Sequence, residues 1–169
     1  MVDRVLKMLC VIFSCAVVML CGCNKNTGET EKVQTDFKAA FTADYEGLSL
    51  KGELTNTRQG MTNLRFSAPD TLDELCLDYK GGEITIARGS IKCTADEAYL
   101  PDSSFPSVLR AFFANIALGD FMAEGDHTYS MQLGGEICVF TVDESGIPVN
   151  MSLPDRGTEV RFSNSEKIG

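Results

Sequence analysis

From Tyr45 onward, most of the chain consists of short segments in which apolar and polar residues alternate. Leu64 and Phe66, for example, alternate with Asn63 and Arg65. A period of two residues places every second side chain on one face of a strand, so these segments predict β-structure with one buried face. Turns containing glycine between successive segments predict antiparallel hairpins. The predicted strands cover residues 48–55, 63–66, 75–79, 84–86, 91–93, 129–133, 137–142, 149–153 and 160–162.

Two further segments carry apolar residues at helical spacing. The first predicts a helix from about Glu31 to Thr42, and the second predicts a helix that starts near Pro106 and stops at Gly119. Antiparallel sheets usually leave one face wet, so both helices are expected to pack on the other face. The predicted fold is α+β: a strongly curved antiparallel sheet, an incomplete barrel of about nine strands, wrapping two helices.

The N-terminus has the pattern of an export signal. A basic start precedes an apolar stretch at residues 8–20, and the small residue Gly22 precedes Cys23. Thirteen helical residues would span roughly 20 Å, which is short of the ~30 Å of a hydrocarbon core. The ending Leu-Cys-Gly-Cys resembles the lipobox of bacterial lipoproteins, which makes Cys23 the predicted lipidation site. An uncleaved anchor and a plain secreted protein are the alternatives.

This interpretation divides the chain into four parts. Residues 1–22 are the predicted signal peptide, and residues 23–30 are the lipidated cysteine with a polar, flexible tether. Residues 31–164 are a single domain, followed by a tail at residues 165–169. Acyl chains on Cys23, such as palmitate, would hold the domain extracytoplasmically, on the outer face of a bacterial membrane, without spanning it.

Charge and cysteine content limit the partners. The full chain carries a net charge of −9, and loss of Arg4, Lys7 and Asp3 with the signal makes it −10. Phosphate backbones repel such a surface, so nucleic acid is not an expected partner. Three cysteines follow Cys23, and their spacing fits no zinc site. The favoured interpretation is buried free thiols, and the alternative is one disulfide between two of them. These cysteines are Cys76, Cys93 and Cys138.

Several short sequences resemble the LolA/LolB-like lipoprotein-carrier superfamily. They are residues 37–45 running into 52–54, residues 63–66 with Pro69, residues 77–82, residues 146–148 and residues 160–164. The resemblance spans residues 31–164. It implies an open half-barrel covered by helices, which holds acyl chains or, in some members, serves as a protein-binding scaffold. A chain that carries its own lipid is expected to stay at one membrane, unlike a soluble shuttling carrier.

Catalytic chemistry has little support in the sequence. The chain has one histidine, His127, and no Gly-x-Ser-x-Gly elbow. A pair of His127 with Cys138 is conceivable, but Cys138 lies in an apolar run that predicts an inert buried thiol. Carboxylates cluster at residues 70–74 and 96–97 without calcium-loop spacing, so solvated turns are favoured. We therefore expect no enzyme, no cofactor and no metal.

Two functions fit these features. The first is a membrane-anchored lipoprotein that binds a lipid, an acyl chain or a lipidated protein in an apolar groove. The alternative is an interaction scaffold that binds an envelope or cell-wall protein through an acidic surface. The candidate groove residues lie on predicted strands and on the second helix; they are Leu48, Leu50, Leu64, Phe66, Val108, Leu109, Phe112, Phe113 and Ile116.

Overall fold

The computed structural model describes residues 33–168. The predicted signal peptide, Cys23 and the tether lie outside the described residues, as does Gly169. Residues 32–169 cluster as one compact unit. The described part therefore has a core of its own.

Eleven strands form one antiparallel sheet in the order β6-β5-β4-β3-β2-β1-β11-β10-β9-β8-β7. Most neighbours in the sheet are neighbours in sequence, as the glycine turns predict. The sheet does not close, so β6 and β7 are its two edges. The strands are β1 (Phe37–Tyr45), β2 (Leu48–Asn56), β3 (Thr62–Ala68), β4 (Cys76–Lys80), β5 (Glu83–Arg88), β6 (Ile91–Asp96), β7 (Met122–Gly125), β8 (Thr128–Leu133), β9 (Glu136–Val142), β10 (Pro148–Leu153) and β11 (Thr158–Lys167).

The helix predicted from Glu31 to Thr42 is wrong over its described residues. Residues 37–45 are instead the central strand β1, which pairs with β2 on one side and β11 on the other. Its buried positions alternate, with Phe37, Phe41 and Tyr45 each at most 6% exposed. The apolar residues in this segment fit helical spacing as well as strand alternation. The segment forms a strand because its backbone can hydrogen-bond to a neighbouring strand on each side.

The sheet has two strands more than predicted, β1 and β7, and the described residues contain one α-helix where two were expected. All nine predicted strands are present. The last strand, β11, continues to Lys167, opposite Phe37, and so includes most of the segment assigned to a tail. The second predicted helix is present as α1 (Phe105–Leu118).

Candidate functional site: the helix-filled half-barrel and its acidic half

Helix α1 packs against the inner face of the curved sheet. Its start is capped by Ser104, whose Oγ accepts the Ser107 N–H, and its end is set by Gly119 at a positive φ of 75°. One broad stripe of the helix is buried. It consists of Phe105, Val108, Leu109, Phe112, Phe113 and Ile116, each at most 5% exposed.

Aromatic rings fill the space between α1 and the sheet. The ring of Phe112 lies 5.3 Å from that of Phe140 in an edge-on arrangement. At the start of the helix, the ring of Phe105 lies 5.4 Å from that of Tyr45 and 5.6 Å from that of Phe41. Such pairs contribute about 0.5–1.5 kcal/mol each beyond the burial of their area. The concave face is thus occupied by the protein's own side chains.

Eight of the nine predicted groove residues belong to this core. The exception is Leu48, which is 55% exposed at the start of β2. A cavity of about 60 Å³ lies beside Phe113, where α1 meets the β2–β3 turn. Pockets for drug-sized ligands usually measure about 300–1,000 Å³. Binding in a groove lined by these residues therefore requires α1 to move, and it stays a prediction. The eight core residues are Leu50, Leu64, Phe66, Val108, Leu109, Phe112, Phe113 and Ile116.

A polar cluster holds the first half of α1 against β4. Arg110 pairs with Glu97 at 2.8 Å, and its guanidinium lies 5.2 Å from the ring centre of Tyr79. Burial raises the pKa of Tyr79 to about 12. The neighbouring Asp96 accepts a hydrogen bond from the Ala98 N–H. The carboxylates at 96 and 97, predicted as solvated turn residues, thus help to fix the turn that leads into the helix.

The three described cysteines are all free. Cys138 is fully buried on β9, and burial raises its pKa to about 12. A thiol with this pKa is almost entirely protonated at neutral pH and is a poor nucleophile. Cys93 is exposed and Cys76 is half-buried, so the expectation of buried thiols holds for Cys138 alone.

These environments predict a difference in thiol reactivity that can be measured on residues 24–169, which we call the soluble form. At pH 8, Ellman's reagent should modify Cys93 and Cys76 in the folded protein. Cys138 should react at least about 100-fold more slowly, because so little of it is thiolate. Peptide mass mapping of the modified sites is the measurement. Labelling of Cys138 as fast as Cys93 would contradict the packing of β9.

A cavity of about 480 Å³ on the outer face was not expected from the sequence. Arg65 and Cys76 lie opposite each other on β3 and β4, and Arg65 Nε donates a hydrogen bond to Cys76 Sγ at 3.4 Å. Asp73 and Glu74 also line this cavity. Its charged lining does not suit an acyl chain.

Negative charge is concentrated on the half of the sheet that ends in β7. Residues 111–155 contain seven carboxylates and no lysine or arginine. The backbone bond from Val142 N–H to the His127 carbonyl, 3.0 Å long, holds the β7–β8 turn against the end of β9. The turn after β9, residues 143–147, starts at the same place, so Asp126, Asp143 and Glu144 lie at one end of the sheet. The seven residues are Asp120, Glu124, Asp126, Glu136, Asp143, Glu144 and Asp155.

Three of these carboxylates have structural partners, and the first, Glu124, accepts a hydrogen bond from the Ser130 hydroxyl. Glu136 pairs with Arg156 at 2.6 Å. Partial burial raises the pKa of Asp143, but hydrogen bonds from the Ser145 side chain and the turn's backbone N–H groups outweigh it, so the pKa lies below its ordinary value. Asp143 is therefore charged at neutral pH and adds to the acidic field of its neighbours.

Among residues 33–168, no cluster of three or more histidine, cysteine or carboxylate side chains has the geometry to hold a metal ion. In the same range, no helix is long and apolar enough to span a membrane.

Comparison with known proteins gives a fold but no family. No protein-family model matches the chain, and no curated protein matches it. An uncharacterized conserved protein from Thermus thermophilus is similar in structure, with a TM-score of 0.55, 8% sequence identity and 82% of each chain covered. A LolA superfamily protein from Nitrosomonas europaea gives a TM-score of 0.44 at 9% identity, covering 82% of this chain and 87% of its own. The Thermus likeness shows that this open, helix-covered sheet is a shared fold.

Proposed function

We propose that this chain is a non-enzymatic lipoprotein that is anchored to the outer face of a bacterial membrane and binds a basic envelope or cell-wall protein. The observation that carries the proposal is the filled half-barrel. Because α1 occupies the concave face, the recognition surface is the outside of the domain.

The charge distribution supports a basic partner. Exposed charges of one sign on one surface raise the rate of encounter with an oppositely charged protein and repel acidic ones. The half of the sheet formed by β7 to β10 carries such charges, since residues 111–155 supply seven carboxylates and no lysine or arginine. The other half of the sheet mixes both signs.

The partner proposal is tested by neutralising charges without changing shape. Asp120→Asn, Asp126→Asn and Glu144→Gln together remove three charges from the acidic half. A matched set on the other half, Glu46→Gln, Asp78→Asn and Glu83→Gln, removes the same number. All six residues are exposed.

We expect formaldehyde crosslinking in the producing cells to give a discrete protein adduct with the wild type and the matched control. The first set should reduce this adduct several-fold, and added salt should reduce it for all three proteins, because exposed charges are screened. Equal adducts from both sets, or no adduct with the wild type, would overturn the acidic-surface proposal.

The anchor is tested separately through Cys23. Cys23→Ser should abolish labelling by radioactive palmitate and release the protein from the membrane fraction, since the acyl chains supply the anchoring energy. Cys21→Ser is the matched control, because its residue is predicted to leave with the signal peptide. Palmitate incorporation into the Cys23→Ser chain would contradict lipidation at this position.

A further inference from the structure

Strand β6 is an open edge in the described part of the chain. It pairs with β5 and ends the order of strands. It is also unusually exposed, with five of its six residues exposed and Ile91 accessible to 75%. An edge with free backbone groups is a template for pairing with another strand.

The hairpin geometry shows which backbone groups of β6 face this edge. The β5–β6 loop has two residues, Gly89 and Ser90, closed by the pair of Arg88 with Ile91. Such a closing pair exchanges both hydrogen bonds, and bonded pairs then alternate along the ladder. Residues 91, 93 and 95 therefore direct their N–H and C=O groups to β5, whereas residues 92, 94 and 96 direct theirs outward.

The side chains of Thr85 and Thr94 agree with this assignment. Their hydroxyls lie 2.9 Å apart across the ladder. Directly opposite side chains come this close in the non-bonded pairs of an antiparallel ladder. Thr94 thus directs its backbone N–H and C=O toward the edge, where the carbonyl accepts only a long hydrogen bond, 4.0 Å, from the Cys93 thiol.

Opposite charges flank Thr94 on the same face. Lys92 and Asp96 stand two residues before and two residues after it, and both are exposed. An antiparallel strand with the same sequence, placed with Thr94 opposite Thr94, brings each Lys92 opposite the Asp96 of the other strand. Two Lys92–Asp96 pairs of opposite charge are thus formed. Both involve residues whose backbone N–H and C=O groups face the edge.

We propose that β6 is a self-association surface, where two copies of this chain pair edge to edge as antiparallel strands with Thr94 on the two-fold axis. A two-fold axis perpendicular to the sheet keeps both concave faces on one side, so only residues of the same face stand opposite each other. In this register Cys93 of each copy lies opposite Ala95 of the other, and both point to the concave side.

Charge also explains why a second copy fits better than an unrelated strand. A lysine on an edge normally blocks pairing, because most partner strands leave it without a counter-charge. The opposite edge of the sheet, β7, lacks this complementarity: it is four residues long and its one charged residue is Glu124. Self-pairing there would place like charges close together.

Sedimentation equilibrium of the soluble form at several salt concentrations tests the proposal. The variants are Lys92→Glu, which makes both edge charges acidic, and Asp96→Lys, which makes both basic. Circular dichroism checks that each variant folds, since Asp96→Lys also loses the hydrogen bond from the Ala98 N–H. The decisive sample is an equimolar mixture of the two variants.

We expect the wild type to dimerise with rising concentration, and each variant alone to have a dissociation constant at least about tenfold higher, because two attractive cross-strand pairs become repulsive. The mixture should recover wild-type affinity, because the two acidic positions of one variant then stand opposite the two basic positions of the other. A wild type that stays monomeric up to about 1 mM, a Lys92→Glu variant that dimerises like the wild type, or a mixture no tighter than its components would each overturn the proposal.

Discussion

Replacing Gly52 with alanine is expected to destabilise the domain by about 3 kcal/mol, because the added methyl group enters a fully occupied space. A Cβ at this position would overlap the Arg65 carbonyl oxygen on β3 and lie 2.9 Å from two ring atoms of Phe41. Phe41 is 1% exposed and packs edge-on against Phe66 at 5.8 Å, so its ring has no space into which to move. Urea unfolding of the soluble form, followed by circular dichroism, gives the free energy of unfolding.

Gly60→Ala is the matched control for this substitution. Gly60 has a positive φ of 74°, but no atom lies within 4 Å of the added methyl group. It should therefore show only the backbone strain of about 1 kcal/mol. If Gly52→Ala lowered the free energy of unfolding no more than Gly60→Ala, the result would contradict the close approach of β1, β2 and β3.

Phe112→Ala should cost about 4 kcal/mol, because it removes a buried ring and leaves a cavity under α1. Phe112 is fully buried, and its ring contacts those of Phe113 and Phe140 at 5.1 Å and 5.3 Å. Phe112→Leu, which keeps most of the volume, should lose about 1.5 kcal/mol. The same urea measurement serves for both variants.

Leu118→Ala is the control on the same helix. Leu118 is 81% exposed at the C-terminal end of α1, so its truncation should change the free energy of unfolding by less than about 0.5 kcal/mol. If Phe112→Ala were as mild as Leu118→Ala, helix α1 would be a loosely attached cover and the concave face would be open to ligands.

Most of the sheet could be predicted from the sequence, because alternation and glycine turns are local signals. The pairs Gly81-Gly82 and Gly134-Gly135 all have positive φ values, as two-residue hairpin loops require. The sequence does not predict strand β1, because small alanines at positions 39 and 43 stand where a strand pattern would show large apolar residues, and the phenylalanines fit helical spacing as well as alternation. The sequence does not predict strand β7 either, because Met122–Gly125 has no alternation and is a strand through its pairing with β8.

The candidate site was less predictable, for a physical reason. A stripe such as Val108, Phe112 and Ile116 has the same spacing whether it covers a groove or fills one. Whether the groove under the helix is open or filled depends on the size and curvature of the sheet. That size and curvature depend in turn on contacts between distant strands. The absence of lysine and arginine from residues 111–155 could be read from the sequence, but the contact that brings Asp126 to the same end of the sheet as Asp143 and Glu144 required the structure.

Helix α1 fills the half-barrel, and we therefore propose that recognition takes place outside it. Native mass spectrometry of the soluble form purified from cells, before and after incubation with palmitate, tests this most directly. We expect the mass of the bare chain in both samples. A co-purified lipid mass, or stoichiometric uptake of palmitate by the folded wild type, would contradict a filled half-barrel. It would indicate instead that the protein binds its ligand inside the half-barrel.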